Sequence, residues 1–200
     1  DVASGTTPYT LGFRKFHRIA LASAGTANTN TYIEFKHVVE SRDMATSGWN
    51  YTSSSSNATI QFWFRCSTNQ TFYANILSQG GTVQDYAFSF TASGNNTWTK
   101  ITHTIPGGSN VVFDNTNGVG LILRIIPFYG TQYTNNKTLN QWANHDNSNY
   151  IPDMASTWLT AGASTFDLTG VQLEVGSSAT DFEHLSYQDD LRKCQRYYYQ

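Results

Sequence analysis

Apolar and polar residues alternate along most of this 200-residue chain. Alternation with a period of two is typical of a β-strand with one buried face. It predicts strands at residues 11–22, 32–40, 57–67, 71–78, 85–91, 97–105, 119–128 and 165–175. Turn residues separate them, as at Gly94, Asn95 and Asn96. Strand and turn recur at intervals of about ten residues, which predicts an all-β jelly-roll sandwich.

Two of these strands are predicted to lie inside their sheets. Residues 119–128 are apolar on nearly both faces, which is typical of a strand that is covered on two sides. In residues 165–175, Val171, Leu173 and Val175 share one face, so this strand is predicted to be buried and central. Residues 130–165 between them show little periodicity and many aromatic and amide side chains, as a long loop does.

The last part of the chain changes period from two to about 3.6, which predicts a helix over residues 186–200. Ser186 followed by Asp189 resembles a capping box at its start. One apolar stripe follows the spacing i, i+4, i+7 and i+11 and consists of Tyr187, Leu191, Cys194 and Tyr198. The stripe packs either on its own sandwich or on a neighbouring subunit, and the sequence favours neither.

Length and charge limit the domain organisation and the partners. Two hundred residues suit one domain, with a sandwich over 1–185 that opens on a polar arm at 1–10, and a helix at 186–200. The net charge is −2 and only 13% of residues are charged, so neither nucleic acid nor an anionic membrane surface is an expected partner. No apolar run is long enough for a membrane span. Cys66 and Cys194 are predicted to be buried thiols and not a disulfide framework.

The sequence contains no recognised catalytic motif, and we do not expect an enzyme. Glycoside hydrolysis needs two carboxylates facing each other across a sugar ring. Five acids are plausible loop residues, but the sequence does not bring any two together: Asp85, Asp114, Asp146, Asp153 and Asp167.

Sugar recognition fits the composition of the loop-rich stretch better. Pyranose rings stack on aromatic side chains, and their hydroxyls pair with amides and carboxylates. Both kinds of side chain occur together here, and the candidate residues are Trp142, Asn144, Asp146, Tyr150 and Trp158. The alternative is that Tyr150 and Trp158 only close the end of the sandwich.

A structural calcium ion is a weaker expectation. Asp114, Asn115 and Asn117 offer oxygen ligands, as do Asp146, Asn147 and Asn149. Neither cluster has the spacing of a recognised calcium loop, so turn formation is the better interpretation of both. No metal site and no cofactor are therefore predicted.

The C-terminal motifs resemble a known group of proteins. V-Q-L-E-V-G at 171–176, A-T-D-F-E-H at 179–184 and L-R-K-C-Q-R-Y-Y-Y at 191–199 resemble the closing sequence of tail-fibre and appendage domains of tailed-phage virions. Those domains are similar to jelly-roll carbohydrate-binding modules. The resemblance implies a tail fibre or spike on the virion surface, assembled as a trimer with other virion proteins, whose jelly roll binds host-surface carbohydrate.

Two alternatives to this function stay open at this point. One is a purely structural virion protein, such as a capsid fibre or adaptor, that binds no glycan. The other is a secreted carbohydrate-binding module attached to an enzyme. Exposure of Trp142 and its neighbours in a groove would favour binding, whereas burial of every tryptophan would favour a scaffold.

Overall fold

The computed structural model describes residues 1–92 and 96–198. The turn predicted at Gly94 and Asn95, and the last residues of the predicted helix, Tyr199 and Gln200, lie outside the described residues. The strands are β1 (His17–Leu21), β2 (Tyr32–Glu40), β3 (Asn57–Cys66), β4 (Thr71–Ser78), β5 (Gln84–Thr91), β6 (Thr99–Pro106), β7 (Val119–Tyr129), β8 (Thr134–Asn135), β9 (Trp142–Asn144), β10 (Ile151–Pro152) and β11 (Ser164–Val175). The helices are α1 (Thr7–Thr10), α2 (Ser41–Ala45), α3 (Thr157–Thr160) and α4 (Tyr187–Gln195).

Two antiparallel sheets face each other, as the alternation predicts. One sheet has the order β1-β11-β3-β6 and the other β2-β7-β4-β5-β9. The inward faces are rich in phenylalanine, and Phe64 lies 4.9 Å from Phe90 and 5.6 Å from Phe166 between ring centroids. Burial of each such ring stabilises the folded state by about 1.5–3 kcal/mol. The prediction of an all-β jelly-roll sandwich is confirmed.

Strand β7 is buried along almost its whole length, in agreement with its two-sided apolar sequence. Its inner face, including Leu123 and Ile125, joins the main core. Its outer face carries Ile126 into a second, smaller core with Ala87 and Ile151. A layer of loop therefore covers the outer face of the five-stranded sheet.

Strand β11 is interior to its sheet, but its second half is less buried than predicted. A bulge between Thr169 and Gln172 shifts the register, so that Leu173 pairs with Ile60 across the strands. Val171 falls in the bulge and is 38% exposed, and Val175 is 47% exposed. β1 pairs with β11 only as far as Leu168, and beyond it the Thr169 hydroxyl donates to the Lys15 carbonyl at 2.8 Å.

The C-terminal helix begins as its capping sequence predicts and ends earlier than its period suggests. The Ser186 hydroxyl oxygen accepts a hydrogen bond from the Asp189 backbone N–H at 3.2 Å, which stabilises the first turn. The helix ends at Gln195, and the Tyr198 N–H still donates to the Cys194 carbonyl at 3.1 Å. No residue of α4 is buried. The prediction that Cys194 is a buried thiol was wrong, because its helix packs on no core, whereas Cys66 is buried.

The N-terminal segment is more ordered than an arm. Residues 7–10 form α1, and Val2 is buried. Within the described ranges no helix is both long enough and apolar enough to span a membrane.

Candidate functional site

Residues 130–163 cross the outer face of the five-stranded sheet and form the covering segment of the fold. Its backbone is tied to the sheet at several points. The Asn75 side-chain amide donates to the Tyr150 carbonyl at 3.1 Å, and the Asn140 N–H donates to the Ala87 carbonyl at 2.8 Å. These bonds satisfy polar groups that the cover removes from water.

A buried ion pair also holds the covering segment. Asp85 on β5 is 0% exposed and accepts hydrogen bonds from the Lys137 ammonium and from His145 Nδ1, the latter at 3.1 Å. The other ring nitrogen of His145 lies 3.1 Å from Asn147 Oδ1, which also accepts from the Tyr150 hydroxyl at 3.0 Å. A chain of polar contacts therefore runs from the sheet to Tyr150 and fixes its position.

Tyr150 is one wall of a concave site that we call the tyrosine pocket. The pocket has a volume of about 220 Å³ and is lined by Tyr32, Glu34, Arg124, Tyr129, Tyr133 and Tyr150. The Tyr133 ring stands nearly perpendicular to that of Tyr32, at 5.8 Å between centroids, and lies 6.3 Å from that of Tyr150. The rings come from β2, β7 and the covering segment, so the pocket exists only in the folded chain.

The floor of the tyrosine pocket is an ion pair. Arg124 Nε lies 3.1 Å from Glu34 Oε2, and the Arg124 guanidinium lies over the Tyr150 ring at 5.2 Å. The Tyr129 hydroxyl donates to Glu34, and burial together with this hydrogen bond raises the pKa of Tyr129 well above its usual range. Tyr129 therefore stays protonated, and the floor presents donors and an acceptor in fixed positions.

Trp142 lines a second depression, the Trp142 groove, with a volume of about 280 Å³. Its indole N–H donates to the Pro106 carbonyl at 2.7 Å, and its ring lies 5.5 Å from that of Tyr86. These contacts leave the indole half-buried, with part of its surface in the groove. Four residues with amide side chains also line the groove: Gln84, Asn110, Asn140 and Gln141.

The five residues predicted for sugar binding do not form one patch. Trp142 and Asn144 lie on β9, and the Asn144 side-chain oxygen accepts from Gln84 at 2.7 Å. Tyr150 lies in the tyrosine pocket. Asp146 lies in an exposed turn, where its carboxylate accepts from the N–H and the hydroxyl of Ser148, and these bonds lower its pKa.

Trp158 has to be removed from the candidate set. It is 0% exposed, and its indole N–H donates to the Thr165 carbonyl at 3.1 Å. It closes the core from α3, as the alternative interpretation held, and a buried ring cannot stack on a sugar.

The sequence pattern did not single out the floor of the tyrosine pocket. The alternation of β2 places Glu34 on the outer face without showing what it meets. A usable signal existed in Arg124, the one charged residue in the otherwise apolar β7. A charge in a strand that is buried on both faces requires a partner, and here Glu34 supplies it.

In the second of the two clusters considered for calcium, Asp146, Asn147 and Asn149, side-chain oxygen atoms already accept hydrogen bonds. Asn147 Oδ1 accepts from Tyr150 and Asp146 Oδ1 accepts from Ser148, so the cluster builds a turn. Among the residues that the structure describes, no group of three or more His, Cys, Asp or Glu side chains could hold a metal ion.

No protein-family model matches the chain, and no curated protein matches its sequence. The chain is similar to several solved structures, including the following three. One, described as "CBM4 structure and function", has a TM-score of 0.41 and 14% identity and is matched over 80% of this chain and 71% of that chain. The C-terminal domain of EclA, a sugar-binding protein, has a TM-score of 0.34 and 6% identity, over 81% and 80% of the two chains.

The third is the tripod from the baseplate of bacteriophage Tuc2009, with a TM-score of 0.31 and 12% identity, over 84% of this chain and 66% of that chain. All of these values are too low to place the chain in a family.

Proposed function

We propose that this chain is a non-enzymatic, carbohydrate-binding domain of a tailed-phage virion appendage, and that the tyrosine pocket holds the sugar. The observation that carries the binding function is the combination of four tyrosine rings with a fixed Arg124–Glu34 pair in one pocket. Aromatic walls match the apolar faces of a pyranose, and the ion pair supplies a donor and an acceptor for its hydroxyls.

The charges in the pocket favour a neutral sugar. Arg124 and Glu34 neutralise each other, so neither an acidic nor a basic substituent finds an unpaired counter-charge there. Glu34 is also the only carboxylate among the described residues that line the tyrosine pocket, and no carboxylate is found among those lining the Trp142 groove. Hydrolysis of a glycoside by the usual pair of carboxylates has no support at either place.

The virion part of the proposal rests on the C-terminal sequence motifs, which resemble those of phage appendage domains. From the same motifs we infer a location on the virion surface and a host-surface glycan as the ligand. We also infer assembly with other virion proteins as a homo-oligomer, which the resemblance suggests is a trimer. A purely structural virion protein is the second candidate, favoured by the exposed helix α4, which suits assembly.

The test is binding to a glycan array and to whole host cells by the wild type, Tyr133→Ala and Trp142→Ala. We expect Tyr133→Ala to weaken sugar binding about tenfold, because one stacking face is lost. Tyr9→Ala removes a half-buried tyrosine of α1 outside both depressions and is the matched control.

Loss of binding in Trp142→Ala alone would move the site to the Trp142 groove. A folded wild-type protein that binds no glycan and no cells would favour the structural candidate. Binding to soluble polysaccharides but not to cells would favour the module of a secreted enzyme.

A further inference from the structure

Helix α4 exposes an apolar stripe that its own domain does not cover. Tyr187 is 80% exposed and Tyr198 is 68% exposed, and Leu191 and Cys194 between them are exposed as well. The hydrogen bond from the Tyr198 N–H to the Cys194 carbonyl keeps Tyr198 in line with the helix. Exposure of such an apolar row to water is thermodynamically unfavourable, so we expect another surface to cover it.

The stripe faces away from its own sandwich. The helix is tied to the body through Arg196, whose guanidinium donates to the Glu40 carboxylate at the end of β2. Arg196 lies two residues after Cys194, which is about 200° around the helix axis. Because the tether is on the opposite side, the stripe points outward, toward another molecule.

A depression on the sandwich is also apolar and uncovered. It opens between the edge strands β1 and β2, has a volume of about 350 Å³, and we call it the edge cleft. Its floor consists of Phe35, Leu123, Ile125, Leu168 and Val171. β1 begins at His17, opposite Leu168, so it does not pair with Val171, which lies in the bulge of β11.

The mouth of the edge cleft carries His17, Lys36 and His37, and none of the described residues that line it is acidic. His37 is exposed here because β2 is an edge strand. On α4, Asp190 lies three residues after Tyr187 and four before Cys194, so it borders the stripe. Asp190 on the helix therefore offers a counter-charge to Lys36 at the mouth of the cleft.

We propose that α4 of one copy of this chain docks in the edge cleft of a second copy, with its stripe on the apolar floor and Asp190 beside Lys36. The cleft offers apolar side chains from both sheets. Each copy donates a helix and accepts one, so the contact closes as a two-fold dimer or a ring, or it extends. It does not depend on glycan binding.

A disulfide trap tests the contact directly, because Cys194 is a native probe in the stripe. Val171→Cys places a thiol in the edge cleft of the full chain. Val112→Cys is the matched control, since Val112 is 36% exposed and does not line the cleft. Cys66 does not interfere, because it is buried and burial raises the pKa of its thiol to about 11. After mild oxidation we expect reducible dimers and larger species with Val171→Cys and not with Val112→Cys.

Other outcomes overturn the proposal. A faster-migrating monomer of Val171→Cys would show that the helix fills its own cleft. Equal dimer formation in the wild type through Cys194 would show helix against helix. Absence of any cross-link would show that α4 does not reach the cleft.

Charge exchange provides a second test that leaves the apolar contacts intact. Lys36 is exposed on β2, so Lys36→Glu is compatible with the fold. In sedimentation velocity we expect Lys36→Glu to weaken self-association at least about tenfold, and Lys36→Glu combined with Asp190→Lys to restore it. A wild type that is monomeric at all concentrations, or a double variant as weak as Lys36→Glu, would contradict the proposal.

Discussion

His103 on β6 is a titratable side chain that folding places against the aromatic core. Its imidazole stacks on the Phe88 ring at 4.0 Å between centroids, and its Nε2 lies 3.1 Å from the Tyr86 hydroxyl. Burial lowers the pKa of His103 below the usual 6.5. The folded protein therefore holds this histidine neutral at a pH where the unfolded chain already protonates it.

This difference predicts a stability that declines in mild acid. Well above about pH 6.5, His103 is neutral in both states, so it does not make the stability depend on pH. As the pH falls below that value, the unfolded chain binds the proton first, which stabilises it relative to the folded protein. We expect the wild type to lose up to about 1.4 kcal/mol between about pH 7.5 and about pH 5.5 through this residue. His103→Phe keeps a stacked ring and removes the titration. Urea unfolding at both pH values measures the loss, and an equal loss in His103→Phe would contradict this account.

At the scale of elements, the bulge of β11 depends on one glycine. Gly170 has φ +62°, and a Cβ there would lie 2.6 Å from Phe13 Cζ. Phe13 in turn packs on Phe182 at 4.8 Å between centroids. The bulge is thus fixed both by its backbone conformation and by an aromatic ring seated on it.

Gly170→Ala should therefore lower the free energy of unfolding by more than backbone strain alone would. The control is Gly162→Ala, at φ +94° with nothing within 4 Å of the added Cβ. We expect about 1–2 kcal/mol of destabilisation for Gly162→Ala and about 2–4 kcal/mol for Gly170→Ala, since displacement of Phe13 adds to the strain. Thermal and urea unfolding measure both. Equal losses would mean that the ring moves aside freely.

The bounds of a strand can be predicted from the sequence where its apolar and polar residues alternate without a break. β2 and β4 begin and end at the predicted residues, because their alternation is uninterrupted. β11 could not be predicted in full, because its bulge moves the inward face from even-numbered to odd-numbered residues at Gly170. Alternation across 171–175 alone does not show this shift, which appears only when Phe166 and Leu168 are compared with Val171 and Leu173 across Gly170.

The tyrosine pocket shows a second limit of prediction from the sequence, which arises at the scale of the whole molecule. Tyr32, Arg124 and Tyr150 come from β2, β7 and the covering segment. Composition shows that 130–165 carries recognition-type side chains, but the sheet order decides which of them meet the outer faces of β2 and β7. Long-range convergence of this kind is a property of topology, and no local pattern encodes it.

The covering segment is also part of the stability of the whole domain. Ala87 and Ile126 are fully buried beneath it, and Asp85 with Lys137 is sealed there as an ion pair. Lifting the segment would expose both the apolar patch and the charges. We therefore expect the segment and the sandwich to unfold in one transition and not separately.

The buried pair gives this expectation a measurable form. Asp85→Asn leaves the Lys137 ammonium buried without its carboxylate, and we expect a loss of about 3–5 kcal/mol in the free energy of unfolding. Asp85→Asn with Lys137→Met should recover most of the loss, because no unpaired charge stays buried. Asp1→Asn breaks the exposed pair with Lys15 and should change stability by less than about 1 kcal/mol.

Urea unfolding followed by tryptophan fluorescence and by far-ultraviolet circular dichroism distinguishes the two kinds of response. Trp142 reports on the covering segment and Trp49, which lies outside that segment, reports on the core, so a single transition that shifts as a whole in Asp85→Asn supports one cooperative unit. An early loss of the Trp142 signal, with the circular dichroism transition unchanged, would contradict it. In that case the covering segment would unfold while the sandwich stays folded, and the tyrosine pocket would be lost without unfolding of the sheets beneath it.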